Sequence, residues 1–370
     1  MNKFPTIGIL GGGQLAQMLA LSGYPLGFRF IFFDPSADAC AGLTGKLIVA
    51  DYDNEVALDE FAQQCDYITY DFENVPVAAA EFVATRSKVF PHPNVLNIAQ
   101  DRLKEKLLFS QQLDLPVANF EPVNSFSELM FAARSFDNNG FLKTRTMGYD
   151  GKGQYRVTPQ ADLKELWDKT GGGLFILEQA INFNREVSVI LARNIEAEII
   201  CYELCENKHK QGILTTTMVP AKPSKHSATA FEYAKKIADK LNYVGVLTIE
   251  MFETDDGLLI NEMAPRVHNS GHWTIEGAIT SQFENHLRAG MGLPLGSHAM
   301  SKGYAAMINW IGKIPPVALS NKEQDIYWHI YGKQNRKGRK VGHTTVVADN
   351  AQKLHTKVVQ LAKLLAAPTN

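Results

Sequence analysis

Five residues of strand character, Thr6–Leu10, run directly into Gly11-Gly12-Gly13, then into a helical stretch at 14–22 and a second strand-like run at 29–33 that ends in Asp34-Pro35. Strand, glycine turn, helix and strand in this order is the grammar of a βαβ unit, which pairs parallel strands through a crossover helix. Further strand-like runs at 67–72 and 89–90 extend it into a small doubly wound α/β domain. Pro91-His92-Pro93-Asn94 punctuates its end, and a polar helix over about 99–113 follows, stopped by Leu115-Pro116. A chain of 370 residues exceeds one ordinary core and reads as about two to four domains with room for a cleft between them. The boundaries fall at 1–98, 99–293 and 294–370.

From Gly140 onward the pattern changes to hairpins. Runs at 141–145 and 154–157 flank a glycine-rich loop, and strands at 175–179 and 186–192 follow. A helix at 228–240 leads into strands at 246–252 and 258–261. Mixed helices and hairpins predict an α+β module rather than a second parallel sheet. A third, smaller region carries strands at 304–311 and 324–331 and closes in a helix at 351–365.

Composition narrows the function classes. A formal charge of −2 gives no global basic field, so the reading excludes wholesale nucleic-acid binding. Cys40, Cys65, Cys201 and Cys205 show neither a disulfide framework nor zinc-type spacing and read as ordinary thiols. The run behind Lys3 is broken by Gly8 and the three glycines, unlike a secretion signal, and no stretch approaches the roughly eighteen apolar residues of a membrane helix. The expectation is a soluble, cytoplasmic protein with no membrane partner.

Five clusters carry possible chemistry. Gly11-x-Gly13-x-x-Ala16 with Asp34 fits the dinucleotide fingerprint, in which a phosphate meets a helix N-terminus, but fits a bare βα turn equally well. Gly148-Tyr149-Asp150-Gly151-Lys152-Gly153-Gln154 lies between two strands, where backbone N–H groups can fold over phosphates, and Lys143 on the entering strand can add an ammonium. Glu250 and Glu262 sit on strands joined through Thr254-Asp255-Asp256-Gly257-Leu258. A three-residue turn at 255–257 pairs Thr254 with Leu258 and sets the glutamates face to face, where a Mg²⁺ ion relieves their repulsion; a two-residue turn breaks that pairing. Arg266, His268, Asn269, Ser270 and His272 then follow in one loop rich in oxyanion-binding and proton-carrying groups. Near the C-terminus, Lys333, Arg336, Lys337, Arg339, Lys340 and His343 alternate with glycines in a basic loop suited to a phosphate monoester.

These residues in this order resemble the ATP-grasp superfamily. More narrowly, the N-terminal string from Gly8 to Met18, Asp71-Phe72-Glu73-Asn74-Val75-Pro76, the run Asn261-Glu262-Met263-Ala264-Pro265-Arg266-Val267-His268-Asn269-Ser270-Gly271-His272-Trp273-Thr274, and Gly338-Arg339-Lys340-Val341-Gly342-His343 resemble the 5-(carboxyamino)imidazole ribonucleotide synthases of purine biosynthesis. The resemblance spans about 7–343. It implies a Rossmann-like preATP-grasp domain, a central ATP-grasp module and a small C-terminal domain. It also implies that ATP meets Arg102, Lys143, the loop Gly148–Gln154, Glu178-Gln179-Ala180-Ile181, Glu186 and His209, with Mg²⁺ on Glu250 and Glu262 beside Asn261. No nicotinamide then binds at Gly11–Ala16. Two departures stand out: Ala16 and Thr146-Met147 occupy positions where the family commonly has Gly and Arg-Gly.

The implied reaction is ATP-dependent ligation of bicarbonate to 5-aminoimidazole ribonucleotide through carboxyphosphate, with a homodimer implied by the family. On that reading Arg266, His268 and Asn269 hold bicarbonate, Tyr149 stacks on the imidazole, Asp150 takes a proton from the amine, and Lys333, Arg339 and Lys340 hold the 5′-phosphate. A nicotinamide oxidoreductase, another ATP-grasp ligase and a nucleotide sensor are the rival readings.

Overall fold

The computed structural model describes residues 4–148, 152–315 and 324–366. Strands β1 (Thr6–Leu10), β2 (Arg29–Asp34), β3 (Lys46–Val49), β4 (Tyr67–Tyr70) and β5 (Lys88–Val89) form a parallel sheet in the order β3-β2-β1-β4-β5. Crossover helices bury both faces of this sheet. Leu10, Phe33, Ile68 and Tyr70 pack with the helices Glu55–Gln63 and Val77–Ala84 on one side. On the other, Ile7, Ile9 and Phe32 pack with Gln14–Gly23 and with Gln282–Gly290 from far along the chain.

The turn after β1 is where a doubly wound sheet offers an anion site, because strand order reverses there and a helix begins. Here the chain fills that site itself. The Asp71 carboxylate, at the end of β4, accepts from the N–H groups of Gly13 at 2.9 Å and Ala16 at 3.3 Å. Asp34, the acidic residue of the dinucleotide-type fingerprint, accepts from Gly12 N at 2.7 Å and Ser36 N at 2.8 Å. Gly11 takes φ +106°, and a Cβ there would lie 1.7 Å from Asp71 Oδ1. The glycines thus serve an internal carboxylate. Burial, opposed by the Ala16 N–H and reinforced by Asp34, pushes Asp71 up to about 6.

Among the described residues, a four-stranded antiparallel sheet follows, from β6 (Phe120–Val123), β7 (Gly140–Thr144), β8 (Gln154–Val157) and β9 (Phe175–Gln179), ordered β6-β9-β7-β8. Helices Phe126–Ser135 and Leu163–Thr170 cover one face through Leu129, Ala132, Leu142, Phe175 and Leu177. The remaining strands are β10 (Arg185–Arg193), β11 (Ile199–Cys201), β12 (Cys205–Lys210), β13 (Ile213–Val219), β14 (Gly245–Glu253), β15 (Leu258–Ala264), β16 (Tyr304–Ile311), β17 (Ile326–Ile330) and β18 (Lys340–Ala348). They build a large antiparallel sheet ordered β15-β14-β10-β12-β13-β16-β18-β17, with β11 on β10. β10, rich in Val and Ile, lies in its interior and is buried along most of its length, as its apolar run requires.

Two elements differ from the sequence expectation. The single polar helix at 99–113 is two pieces, Pro93–Ala99 and Arg102–Leu107, the second running into a π-helical turn at Leu108–Gln112. Asp101 separates them because its side chain caps the second helix, accepting from Leu103 N at 3.0 Å and Lys104 N at 3.4 Å. The basic stretch read as a loop ends at Lys340, where β18 begins. His343 is buried inside that strand, where its Nδ1 and Tyr331 Oη share a hydrogen bond of 2.7 Å.

The folded Asp71 carboxyl, near 6, binds its proton more tightly than the same group at its ordinary value of 3.8. Stability therefore falls as pH rises through about 4–6, by roughly 3 kcal/mol at most. Asp71→Asn removes that loss. In paired chemical denaturation the variant gains on wild type from about pH 4 to about pH 6.5; a pH-independent difference would refute the assignment.

Candidate functional site

A cleft of about 880 Å³ opens between the four-stranded and the large sheet, and the loops of the first domain and residues 333–340 close its far end. Nearly every residue singled out from the sequence lies in its wall. Tyr149, Asp150 and Gly151 are outside the described residues. Gly153 and Ala180 stand behind the wall: Gly153 O accepts from Thr144 N at 2.9 Å, and Ala180 N donates to Asn139 O at 3.0 Å.

The end of the cleft beside the four-stranded sheet is built on a six-residue helix. With Asp101 as its cap, Arg102–Leu107 presents Arg102, Glu105 and Lys106 on one face, as i, i+3, i+4 spacing dictates. Arg145 pairs with Asp101, and Arg102 N donates to Arg145 O at 2.9 Å, which ties this helix to the end of β7. Lys143 on β7 reaches Glu178 Oε2 at 3.0 Å, and Lys106 reaches the same oxygen at 3.3 Å. Burial works to raise Glu178, but Lys106, Lys143 and Arg102 outweigh it and hold the carboxyl at about 2. Burial in turn lowers Lys143, with Glu178 opposing. The Glu178 side chain is therefore committed to two lysines, and Gln179 and Ile181 are its neighbours that face the cleft.

Glu250 and Glu262 do face one another, by a route other than the expected one. The loop between β14 and β15 is four residues, 254–257, with Glu253 opposite Leu258. That register alone would set Glu250 opposite Asn261. A bulge on β15 intervenes, so the pairing resumes as Glu250↔Glu262 and Asn261 is the extra residue, also in the cleft wall. Each carboxylate has its own basic partner: His268 Nε2 lies 2.9 Å from Glu250 Oε1, and Arg102 Nη1 lies 3.1 Å from Glu262 Oε2. Burial would raise Glu250, yet His268, His209 and Lys340 hold it well below the usual carboxylate range. Two opposed carboxylates open to the cleft fit a Mg²⁺ ion that takes its remaining ligands from phosphate and water. His209 pairs with Glu186 across β10 and β12; burial opposes its charge, but Glu186 and Glu250 raise it above its ordinary value.

The loop after β15 is held from behind. Arg266 Nε pairs with Glu73, and burial is overcome by that carboxylate to keep the guanidinium charged. Asn269 exchanges both amide contacts with Asn309 on β16, at 3.1 and 2.6 Å, so its side chain is fixed to the sheet. His268 Nδ1 meets Ser270 Oγ at 2.8 Å. At the far end Lys333 bonds Gln14, at the start of the first helix, and burial lowers its ammonium. Arg336, Lys337, Arg339 and Lys340 line the same end.

Sequence reasoning missed Glu73, Asp71, Gln14, Glu105, Lys106 and Arg145. Glu73 and Asp71 lay inside a quoted string without a role. Lys106 carried a signal in its spacing, one helical turn from Arg102. Glu105, beside it, accepts from Met263 N at 2.7 Å; burial, with Glu262 nearby, pushes it up to about 8.

Three family models match the chain: the ribonucleotide synthetase preATP-grasp domain over residues 4–100, the ATP-grasp domain over 108–283 and the phosphoribosylaminoimidazole carboxylase C-terminal domain over 305–357. The chain is 44% identical over 361 residues to the N5-carboxyaminoimidazole ribonucleotide synthase of Pseudomonas aeruginosa, covering 98% of this chain and 99% of the relative. It is 43% identical over 350 residues to that of Brucella melitensis, covering 92% and 95%. Among solved structures it matches the N5-carboxyaminoimidazole ribonucleotide synthetase of Thermus thermophilus with a TM-score of 0.92, 45% identity and 98% and 99% coverage. It matches the Aspergillus clavatus N5-carboxyaminoimidazole synthase in complex with ADP and 5-aminoimidazole ribonucleotide with a TM-score of 0.88, 28% identity and 99% coverage of both chains.

With its carboxyl held at about 2, below its ordinary 4.5, Glu178 contributes stability that is fully present above about pH 4.5 and lost as pH falls toward 2. Glu178→Gln leaves two buried lysines without their counter-charge and destabilises the fold by about 3–5 kcal/mol at neutral pH. Urea denaturation measures this. A loss under about 1 kcal/mol, or one that does not shrink in acid, would contradict the ion-pair assignment.

Proposed function

The chain belongs to the N5-carboxyaminoimidazole ribonucleotide synthase family of ATP-grasp enzymes, and from that premise we propose how its own residues carry out ATP-dependent carboxylation of 5-aminoimidazole ribonucleotide in purine biosynthesis. The observation that carries the reading is one cleft in which Lys143, the facing Glu250 and Glu262, the 266–269 loop and the 333–340 cations converge.

ATP lies with its base against Gln179 and Ile181, its ribose toward Glu186 and His209, and its phosphates toward Lys143, Arg102 and the loop from Gly148 to Gln154. Glu250 and Glu262, with Asn261 alongside, would hold a Mg²⁺ ion, which would supply charge neutralisation on the phosphates. Bicarbonate is a weak electrophile. One of its oxygens attacks the γ-phosphorus, the bond from that phosphorus to the β,γ-bridging oxygen breaks, and ADP leaves carboxyphosphate behind. Lys143 and Arg102 meet the charge that develops on the transferring group, which is positioning and electrostatics rather than covalent catalysis. Arg266 holds bicarbonate, with Glu73 fixing its guanidinium and Asn309 fixing Asn269 beside it. His268 stands between the carboxylate pair and the reacting carbon.

The ribonucleotide enters from the opposite end. Its 5′-phosphate rests on Lys333, Arg339 and Lys340, and Tyr149 and Asp150 receive the imidazole and its amine. The amine nitrogen attacks the carboxyl carbon, phosphate departs, and the amine proton passes to Asp150. Carboxyphosphate hydrolyses readily in water, so the glycine loop closes over it. The protein works in the cytoplasm as a homodimer, as the family resemblance implies.

The test is phosphate release from Mg-ATP and bicarbonate with and without 5-aminoimidazole ribonucleotide. Release depends on the acceptor; acceptor-independent release, or none, would overturn the reading. Lys143→Met lowers turnover by about 100-fold or more. Arg339→Ala raises the acceptor KM by about tenfold while the ATP KM stays put, the reverse pattern being incompatible with a phosphate role.

A further inference from the structure

The β15 bulge has to be held, because a strand with an extra residue has the option of slipping back to the even register that faces Glu250 with Asn261. Two adjacent residues on the helix Arg102–Leu107 grip the bulge from both sides. Lys106 Nζ donates to Asn261 O at 2.8 Å and to Ile260 O at 3.4 Å. Glu105 Oε1 accepts from Met263 N at 2.7 Å. The bonds therefore straddle Glu262, taking carbonyls on its N-terminal side and an N–H on its C-terminal side. Both side chains are almost fully buried, 1% and 2% exposed, so their contacts are not diluted by water. Lys106 also reaches Glu178 Oε2 at 3.3 Å, which joins the bulge in the large sheet to the Lys143–Glu178 pair in the other sheet.

We propose that Lys106 and Glu105 are positioning residues that fix the β15 bulge and thereby hold Glu262 opposite Glu250 in the geometry that binds the nucleotide-bound divalent cation. Neither residue touches the cation; they act on the backbone from which one ligand projects. The proposal rests on the reading of Glu250 and Glu262 as the metal carboxylates. It assigns the pair a function distinct from filling the core, because a slipped bulge would leave the cleft intact and move the ligand.

The experiment measures Mn²⁺ binding to the folded protein in the presence of ADP by electron paramagnetic resonance, together with ADP binding in EDTA by calorimetry and the unfolding midpoint. Lys106→Met weakens Mn²⁺ binding by about 10–100-fold, the scale of losses when support behind a metal ligand is removed. Glu105→Leu does the same, and Glu105→Gln, whose amide oxygen still accepts from Met263, recovers most of the loss. ADP affinity without metal changes by less than about threefold in the two Glu105 variants. If Lys106→Met does not fold, the Glu105→Leu and Glu105→Gln pair decides. A lowered unfolding midpoint with wild-type Mn²⁺ affinity would show a merely structural role and overturn the proposal. Glu262→Gln separates the two layers: if it binds Mn²⁺ as wild type does, the metal reading itself fails, whereas if it loses Mn²⁺ while the Lys106 and Glu105 variants keep it, only the positioning role fails.

Discussion

Two carboxylates held face to face across the β14–β15 hairpin repel one another, and in a partly buried cleft that repulsion is not well screened. The surrounding side chains contain it. Glu250 leans on His268, which comes from the loop that β15 itself feeds, and Glu262 leans on Arg102, which comes from a helix nearly 160 residues earlier in the chain. Drawing these cations together requires the Asp101 cap, its pairing with Arg145 and the docking of the Arg102–Leu107 helix against β15. The arrangement explains why the first domain and both later sheets meet at one cleft rather than standing as separate lobes.

The N-terminal domain illustrates why fold and chemistry separate. Its parallel sheet, glycine turn and helix reproduce the frame of a dinucleotide site, and the frame alone cannot distinguish a ligand phosphate from a carboxylate of the same protein. Asp71 and Asp34 occupy the backbone N–H groups that a pyrophosphate would need. What remains usable is the rim: Gln14 meets Lys333, and Glu73, two residues beyond Asp71, orients Arg266. A nucleotide-binding scaffold has become one wall of a site whose nucleotide-type groups all lie elsewhere.

Strand periodicity revealed β1, β8, β9 and β16 within a residue or two, because each has an apolar face that a local window captures, but it did not reach β3, β6, β11, β12 and β13 or the helices Glu55–Gln63, Val77–Ala84, Phe126–Ser135, Leu163–Thr170 and Gln282–Gly290. The losses were non-local. β18 reads as a basic glycine loop at its start, and only its partners β16 and β17 make a strand of it. The facing glutamates were found by counting from a turn one residue too short, and the bulge at Asn261 compensated; no local rule announces a bulge whose cause is a lysine 155 residues away. Lys106 and Glu105 stay unmarked within a polar helix, since a buried charge is visible only once its partners are. Thr146-Met147 was legible as a departure: Met147 takes φ +61°, a conformation in which glycine is the comfortable residue, at a cost of about 1 kcal/mol.

The charge balance at the nucleotide end follows from burial as much as from composition. Arg102, Lys106 and Lys143 are arrayed there against Glu178 and Glu262, so three cations face two ionised carboxylates. Glu105 would cancel the surplus, but burial, with Glu262 beside it, pushes it up to about 8, and it stays predominantly protonated at neutral pH. The local field is therefore positive where the ATP phosphates are proposed to lie, even though the chain as a whole carries a formal charge of −2. Replacing Glu178 by a neutral residue would enlarge that surplus and still harm the site, because Lys143 would lose the counter-charge that offsets its burial. A phosphate site of the proposed kind thus needs an acid at its centre: Glu178 offsets the burial of Lys143, and the predominantly protonated Glu105 leaves the positive field uncancelled.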